Sequence, residues 1–341
     1  MNLLIITQKV DQKDQLLGFF IGWIKEFASK FKSVTVLCLE KDDYNLPDNV
    51  RIISLGKDKN KSKLRQLFNF YRAITTLEYD VVFVHMNPIW MVLGGLYWRL
   101  SGKKACLWYT SKGVTFKLKI AEMLASGVFT ASSESFRLHS KKVVVTGHGI
   151  DTELFKSDPT KKINDDKLRI LSVGRIASVK NYGVLIDATK ILKDAGVKFL
   201  VTIVGEPPLV KDIQYQSEIK NKISHLGLED SFIFVGKVLN LNLPSYYQSN
   251  DIFIHMSKTG SLDKAILEAM ACGMRVLSSN DAAREFLPAK LLFNENDARE
   301  LADKIERMSK ENADGQLRQY VTKMHNLDTL IRKITKLMIN K

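Results

Sequence analysis

Short apolar runs alternate with longer helical patterns through the first half of this chain, and the alternation then begins again. The first-half runs are Leu3–Thr7, Val34–Leu39, Arg51–Ser54, Val81–His85, Lys104–Tyr109, Val128–Ala131 and Lys142–Thr146. They are apolar nearly throughout, as strands covered on both faces by helices must be. Strands joined through helices pair in parallel, because each crossover brings the chain back to the same end of the sheet. The fold class is therefore α/β, built on a doubly wound parallel sheet.

From Phe155 to Lys167 the chain is polar and charged and carries Pro159, which reads as a linker. The pattern then restarts. Arg169–Gly174 is an expected strand ending in glycine. Tyr182–Asp194 is an expected helix, with Val184, Leu185, Ala188, Ile191 and Leu192 on one face. Further strands are expected at Phe199–Val204, Ser231–Val235, Asp251–Met256 and Arg275–Ser278. The domains implied are 1–155 and 156–325, two Rossmann-like doubly wound parallel-sheet domains facing a central cleft. Open α/β sheets bind ligands at the carboxyl ends of their strands, so a cleft lined by both sets of ends is where a ligand belongs. The closing helical pattern, Ala298 to about Lys341, has no core of its own. It is expected to pack across both domains, with 326–341 returning to the first.

The net charge of +14 favours anionic partners such as phosphorylated substrates or acidic lipid. A solubilising lysine-rich surface accounts for the larger part of this excess. Cys38, Cys106 and Cys272 lie in apolar runs without metal or redox spacing, as buried free thiols of a reducing compartment do. Met1–Thr7 lacks the basic flank and length of a secretory signal, and the longest apolar run, Pro88–Leu100, is too short to span a membrane. A cytoplasmic protein is expected, with peripheral attachment at the inner face of a membrane left open.

Two segments carry chemistry. In Val173-Gly174-Arg175-Ile176-Ala177-Ser178-Val179-Lys180-Asn181, two cations follow a strand end and precede a helix. Free backbone N–H groups and the positive helix end make such turns anion sites, and arginine engages phosphate oxygens in pairs. Two readings are open, a diphosphate grip or ordinary loop cations. In Gly260-Ser261-Leu262-Asp263-Lys264-Ala265-Ile266-Leu267-Glu268-Ala269-Met270-Ala271-Cys272-Gly273, a helix starts near Gly260 and ends at a Gly273 cap. Glu268 sits among apolar residues and needs partners. A ribose diol and a structural salt bridge both qualify.

Together these segments resemble the donor-binding half of retaining glycosyltransferases of family 4, which have the GT-B fold. The likeness is strongest from Leu168 to about Pro288. It implies that Arg175 and Lys180 hold the diphosphate of a nucleotide-sugar donor and stabilise the leaving group, and that Glu268 binds ribose. Gly174, Val238, Gly260, Ser261, Leu262 and Asp263 are implied as further donor contacts. Gly147-His148-Gly149-Ile150-Asp151 resembles the family's domain junction. The implied reaction is metal-independent hexosyl transfer with retention at the anomeric carbon, to a glycan or lipid-linked acceptor and without a cofactor. No Asp-x-Asp motif occurs to hold a metal diphosphate.

Two positions depart from the family pattern. Gly260 stands where a glutamate usually contacts the sugar, and Asp263 either takes over that contact or caps the helix. In Trp108-Tyr109-Thr110-Ser111-Lys112-Gly113, Lys112 stands where many relatives have histidine near the donor sugar. It either donates to sugar or phosphate or is an unrelated exposed lysine. His85, ending an expected strand, is a candidate sugar or acceptor contact or a hydrogen-bonded structural histidine.

The pattern Leu16–Lys32, rich in Phe and Trp, and the cationic run Lys57–Arg65 offer either an interfacial surface for anionic membrane or a core helix with a solvated loop. No recognised basic-aromatic module points to nucleic acid. A nicotinamide-dependent oxidoreductase would need a Gly-x-Gly-x-x-Gly turn, which neither Thr7–Leu17 nor Gly174–Asn181 supplies. The alternative within the same fold is a non-catalytic nucleotide- or sugar-binding relative.

Overall fold

The computed structural model describes residues 1–257, 262–311 and 315–340. The chain divides into two units, residues 1–151 with 324–341, and residues 152–323.

The first unit runs β1 (Asn2–Val10), α1 (Phe20–Ala28), β2 (Ser33–Lys41), β3 (Val50–Ser54), α2 (Lys63–Thr76), β4 (Val81–His85), α3 (Pro88–Leu100), β5 (Lys104–Trp108), α4 (Phe116–Leu124), β6 (Gly127–Thr130) and β7 (Val143–Val145). Its strands form one parallel sheet in the order β3-β2-β1-β4-β5-β6-β7. In the central strands the apolar runs are explained by burial on both faces. Leu4 and Ile6 of β1 pack with Phe70, Trp90 and Trp98 beneath α2, α3 and α4. Leu3 and Ile5 point the other way, into a core with Phe20, Trp23 and Phe27 of α1.

Local chemistry sets the helix starts. Ser62, Asn87 and Thr115 accept backbone N–H bonds at the heads of α2, α3 and α4, and Pro88 opens α3. α1 begins at Phe20, later than its apolar pattern, because the Asp14 carboxylate accepts from Leu16 and Leu17 and holds that stretch in a turn.

The second unit runs β8 (Leu168–Val173), α5 (Tyr182–Asp194), β9 (Phe199–Val204), α6 (Val210–His225), β10 (Phe232–Gly236), α7 (Leu243–Ser249), β11 (Ile252–His255), α8 (Lys264–Ala271), β12 (Arg275–Ser278), α9 (Ala298–Ser309) and α10 (Gln316–Met324). Its parallel sheet has the order β10-β9-β8-β11-β12. The direction of winding reverses at β8, whose neighbours are β9 and β11.

Two expectations change. The polar stretch from Phe155 is not a free linker: Phe155 is buried against the Tyr247 ring, and Lys162 donates to Asn250 O and Asp251 Oδ1, each at 2.9 Å. The segment is laid along the second unit. Among the described residues, the closing pattern from Ala298 is three helices rather than one, the last being α11 (Leu327–Ile339), capped by Asn326. α9 stays with the second unit. α11 belongs to the first, where Leu330, Ile331 and Ile334 share the core of α1. Ile150 N–H donates to His325 O at 2.6 Å and Leu327 N–H to Ile150 O at 2.9 Å, which fastens this return.

Candidate active site

The carboxyl ends of β8 and β11 adjoin at the point where the second sheet reverses its winding, the place where open α/β sheets leave a crevice. Gly174, Gly205 and Gly236 follow one another across the ends of β8, β9 and β10. Gly174 N–H donates to Val204 O at 2.9 Å, and Gly205 N–H to Gly236 O at 2.8 Å. A Cβ on Gly205 would lie 2.0 Å from the Gly174 carbonyl oxygen, so only glycine permits this approach. The result is a floor of backbone that carries no side chains of its own.

Arg175 leaves this floor exposed, while Ile176 and Ala177 behind it are buried and pin the connection. A single 3-10 turn, Ser178–Lys180, leads to Asn181 in the left-handed region. Asn181 Nδ2 donates to Glu295 O at 2.7 Å, and Tyr182 N–H to the Tyr215 hydroxyl at 2.9 Å. These bonds fix Lys180 just ahead of α5.

The Lys180 stem crosses Gly174, and its ammonium forms an ion pair with Asp263. Asp263 is the N-cap of α8: its Oδ1 accepts from Ala265 N–H at 3.2 Å. Its Oδ2 also faces His255 Nε2 at 3.1 Å, and Lys180 Nζ lies 3.4 Å from the same nitrogen. A carboxylate oxygen only accepts, so the neutral imidazole carries its proton on Nε2. Burial pushes His255 below the ordinary histidine range, and the Lys180 cation adds to that. Burial alone would raise the Asp263 carboxyl, but the Lys180 cation and the His255 hydrogen bond hold it well below the usual range.

Glu268 lies on α8 and is 6% exposed. The Tyr247 hydroxyl donates to its Oε2 at 2.9 Å. Burial pushes the Glu268 carboxyl above the ordinary glutamate range, against the opposing effects of the Tyr247 bond and the Lys264 cation. Burial also pushes the Lys264 ammonium down. Among the described residues, no group of three or more His, Cys, Asp and Glu gathers as metal ligands would.

The structure thus brings Gly174, Arg175, Lys180, Asp263 and Glu268 to one sheet edge or to the helix beside it. Val238 is half-buried in the connection after β10, and Leu262 is buried just ahead of α8. Gly260 and Ser261 lie outside the described residues. The helix expected to start near Gly260 starts at Lys264, because the Asp263 cap sets its first turn.

His85 and Lys112 belong to the first unit. His85 is 1% exposed and lies between rings, with Phe20 stacked at 4.0 Å and Trp108 at 5.5 Å. Its Nδ1 is 3.3 Å from Thr7 Oγ1. Lys112 is half-buried in the loop between β5 and α4. His148 is buried at the foot of the returning strap, where its N–H donates to His325 Nδ1 at 3.2 Å. Sequence reasoning missed His255 and Tyr247. His255 ends a strand, the same signal that singled out His85. Tyr247 lies on a short helix with no motif around it.

Two doubly wound parallel sheets of seven and five strands make this a GT-B-type α/β protein. The structure of Anabaena HepE solved with UDP superposes with a TM-score of 0.78 over 98% of this chain and 99% of that one, at 19% identity. WaaG, a glycosyltransferase involved in lipopolysaccharide biosynthesis, gives 0.70 over 99% and 100%, at 14% identity. The chain belongs to the glycosyl transferases group 1 family, whose sequence profile matches residues 155–340. Among curated relatives, the amylovoran biosynthesis glycosyltransferase AmsK of Erwinia amylovora is 33% identical over 191 residues, which take in 51% of this chain and 44% of AmsK. An Escherichia coli UDP-Gal:alpha-D-GlcNAc-diphosphoundecaprenol alpha-1,3-galactosyltransferase is 25% identical over 69% of this chain and 65% of its own length.

Proposed function

We propose that this protein transfers a hexose-type sugar from a nucleotide-diphosphate-sugar donor to a glycan or lipid-linked acceptor, with retention and without a metal. The observation that carries the reading is the Lys180 ammonium held over the bare glycine floor at the switch point, with Arg175 exposed beside it. As the bond to the sugar breaks, negative charge grows on the leaving diphosphate, and fixed cations stabilise it most where little rearrangement is needed. Glu268 would accept hydrogen bonds from the ribose diol. A thermal-shift screen of nucleoside diphosphates and nucleotide sugars tests the reading. Stabilisation by at least one of them is expected, and no response to any would sink it. Transfer or hydrolysis of the responding sugar donor by wild type, lost in Arg175→Ala, excludes a non-catalytic binding protein.

The ribose role carries a pH signature. An ionised carboxylate accepts from two hydroxyls, so affinity should rise as pH climbs through the Glu268 titration. The Tyr247 hydroxyl favours the ionised form. Burial places the Glu268 titration at about 7, and Tyr247→Phe should therefore move the midpoint of binding against pH further upward, measured by titration calorimetry from mildly acid into alkaline pH. An unmoved midpoint would separate Glu268 from the ligand.

For a lipid-linked acceptor, the surface that supports membrane contact is not α1, whose Phe20, Trp23 and Phe27 are core. It is the outer face of α2, α3 and α4. These helices lie side by side: Tyr71 Oη donates to Leu93 O at 3.3 Å, and a Cβ on Gly95 would lie 2.7 Å from Leu124 Cβ. They expose Leu64, Phe68, Leu96, Leu100, Phe116 and Met123. Exposed Lys63, Arg65, Arg72, Arg99 and Lys117 surround them, and Glu122 is the one acid in the three helices. No helix of the described residues is long and apolar enough to cross a membrane. Cosedimentation with phosphatidylglycerol-containing vesicles, but not with phosphatidylcholine alone, is expected. Leu100→Ser with Phe116→Ser should abolish it, and equal behaviour with both vesicle types would remove this surface from consideration.

A further inference from the structure

Two hydrogen donors of different elements converge on one anionic oxygen beside the glycine floor. Lys180, from the β8–α5 connection, and His255 Nε2–H, from the end of β11, both face Asp263 Oδ2. This is the arrangement a phosphate oxygen needs, already occupied by a carboxylate oxygen from the same chain. We infer that Asp263 Oδ2 sits in the seat of a donor phosphate oxygen, that His255 is a second donor to that seat, and that Asp263 competes with the diphosphate for it. The inference rests on the reading of Lys180 as a diphosphate ligand.

The local geometry allows the exchange. Asp263 has its two oxygens on separate duties: Oδ1 caps α8, and Oδ2 alone holds the cation and the imidazole. Its side chain is 30% exposed, whereas those of Lys180 and His255 are 13% and 3% exposed. The acid can turn toward solvent or a sugar hydroxyl, while the two donors are fixed by their surroundings. The empty site then keeps no uncompensated ammonium, and the incoming diphosphate replaces one anionic oxygen by another. The arriving phosphate cannot share the seat, because two anions at contact distance repel. When the product nucleoside diphosphate leaves, Asp263 returns to Lys180, which assists release.

Asparagine and serine cap helices about as well as aspartate, so both replacements remove the charge and keep the start of α8. The probe is whichever of UDP, GDP or ADP most raises the melting temperature of the wild type, with affinity read by calorimetry and product inhibition read in the transfer or hydrolysis assay. Asp263→Asn and Asp263→Ser are expected to bind the diphosphate roughly tenfold tighter, with the product inhibition constant falling by the same factor and the gain shrinking as salt is raised. His255→Leu should weaken binding by about tenfold in both the wild-type and the Asp263→Asn backgrounds. Unchanged or weaker binding in both Asp263 variants, with Lys180→Met still losing affinity, would overturn the exchange and leave Lys180 as the diphosphate ligand. If Lys180→Met binds as the wild type does, the donor reading itself fails and the exchange with it.

Discussion

Lys180→Met is expected to lower sugar transfer by roughly 10²–10³-fold, the loss that follows removal of one fixed donor to a developing negative charge. Methionine keeps the unbranched stem that lies across Gly174, so packing over the glycine floor is retained and the charge alone is deleted. Affinity for the diphosphate should fall as well, but the larger loss should be in turnover, because charge on the diphosphate increases as the glycosidic bond breaks. Asp263 loses its cation in this variant, although His255 and Ala265 still donate to it. A melting curve of the ligand-free variant separates that structural cost from the catalytic one. Arg175→Ala supplies an independent control, since Arg175 is exposed and its removal leaves the Lys180–Asp263–His255 knot intact. A Lys180→Met enzyme within a few-fold of wild-type turnover would remove this lysine from the reaction.

Gly205→Ala is expected to cost about 2–4 kcal/mol and to lower the melting temperature by about 5–10 °C. Residue 205 has φ +136, and its Cβ would meet the Gly174 carbonyl oxygen at 2.0 Å and Arg175 N at 3.6 Å. Backbone atoms cannot rotate aside as a side chain can, so β8 and β9 must separate locally. Diphosphate binding should weaken in parallel, because the strand ends that move carry Gly174 and Arg175. Gly196→Ala is the matched control. Its φ is +78, but a Cβ there meets nothing within 4 Å. It should lose only the conformational term, about 1 kcal/mol. Equal losses in the two variants would show that the close approach of β8 and β9 carries no cost.

Each apolar run read from the sequence is a strand, and for the central strands the reason is double-sided burial; the edge strands β3, β7 and β10 are only partly buried. A strand such as Val81–His85 is buried at every position and is apolar up to its terminal histidine. The site was legible in part for a similar reason. Lys180 and Arg175 stand out as cations in a short turn after a glycine-ended strand, and Glu268 as an acid in an apolar helix. The partner of Lys180 was not legible, because the contact joins residues 83 apart and depends on β8 and β11 being neighbours. Strand order follows from packing of the whole sheet, not from either segment. The break before α11 had a local sign, Asn326 ahead of Leu327 and Asp328, but the apolar spacing carries on across it and hides the cap. Phe155 was misread for the opposite reason: one aromatic in a polar stretch is enough to anchor that stretch on Tyr247.

The return of α11 also governs the order in which this polypeptide can finish folding. Leu3, Ile5 and Phe83, on one face of the first sheet, share a core with Leu327, Leu330, Ile331, Ile334 and Met338. A ribosome delivers those last residues only after the whole of 152–323 has been made. Until then the first sheet has α1 on that face but lacks its final cover. The early product of translation is thus a sheet with an apolar strip open to water, a feature that makes nascent chains dependent on holdases and prone to mispairing. Synthesis of the second unit becomes a waiting period for the first, and ribosome pausing within 152–323 should lengthen the exposure of that strip.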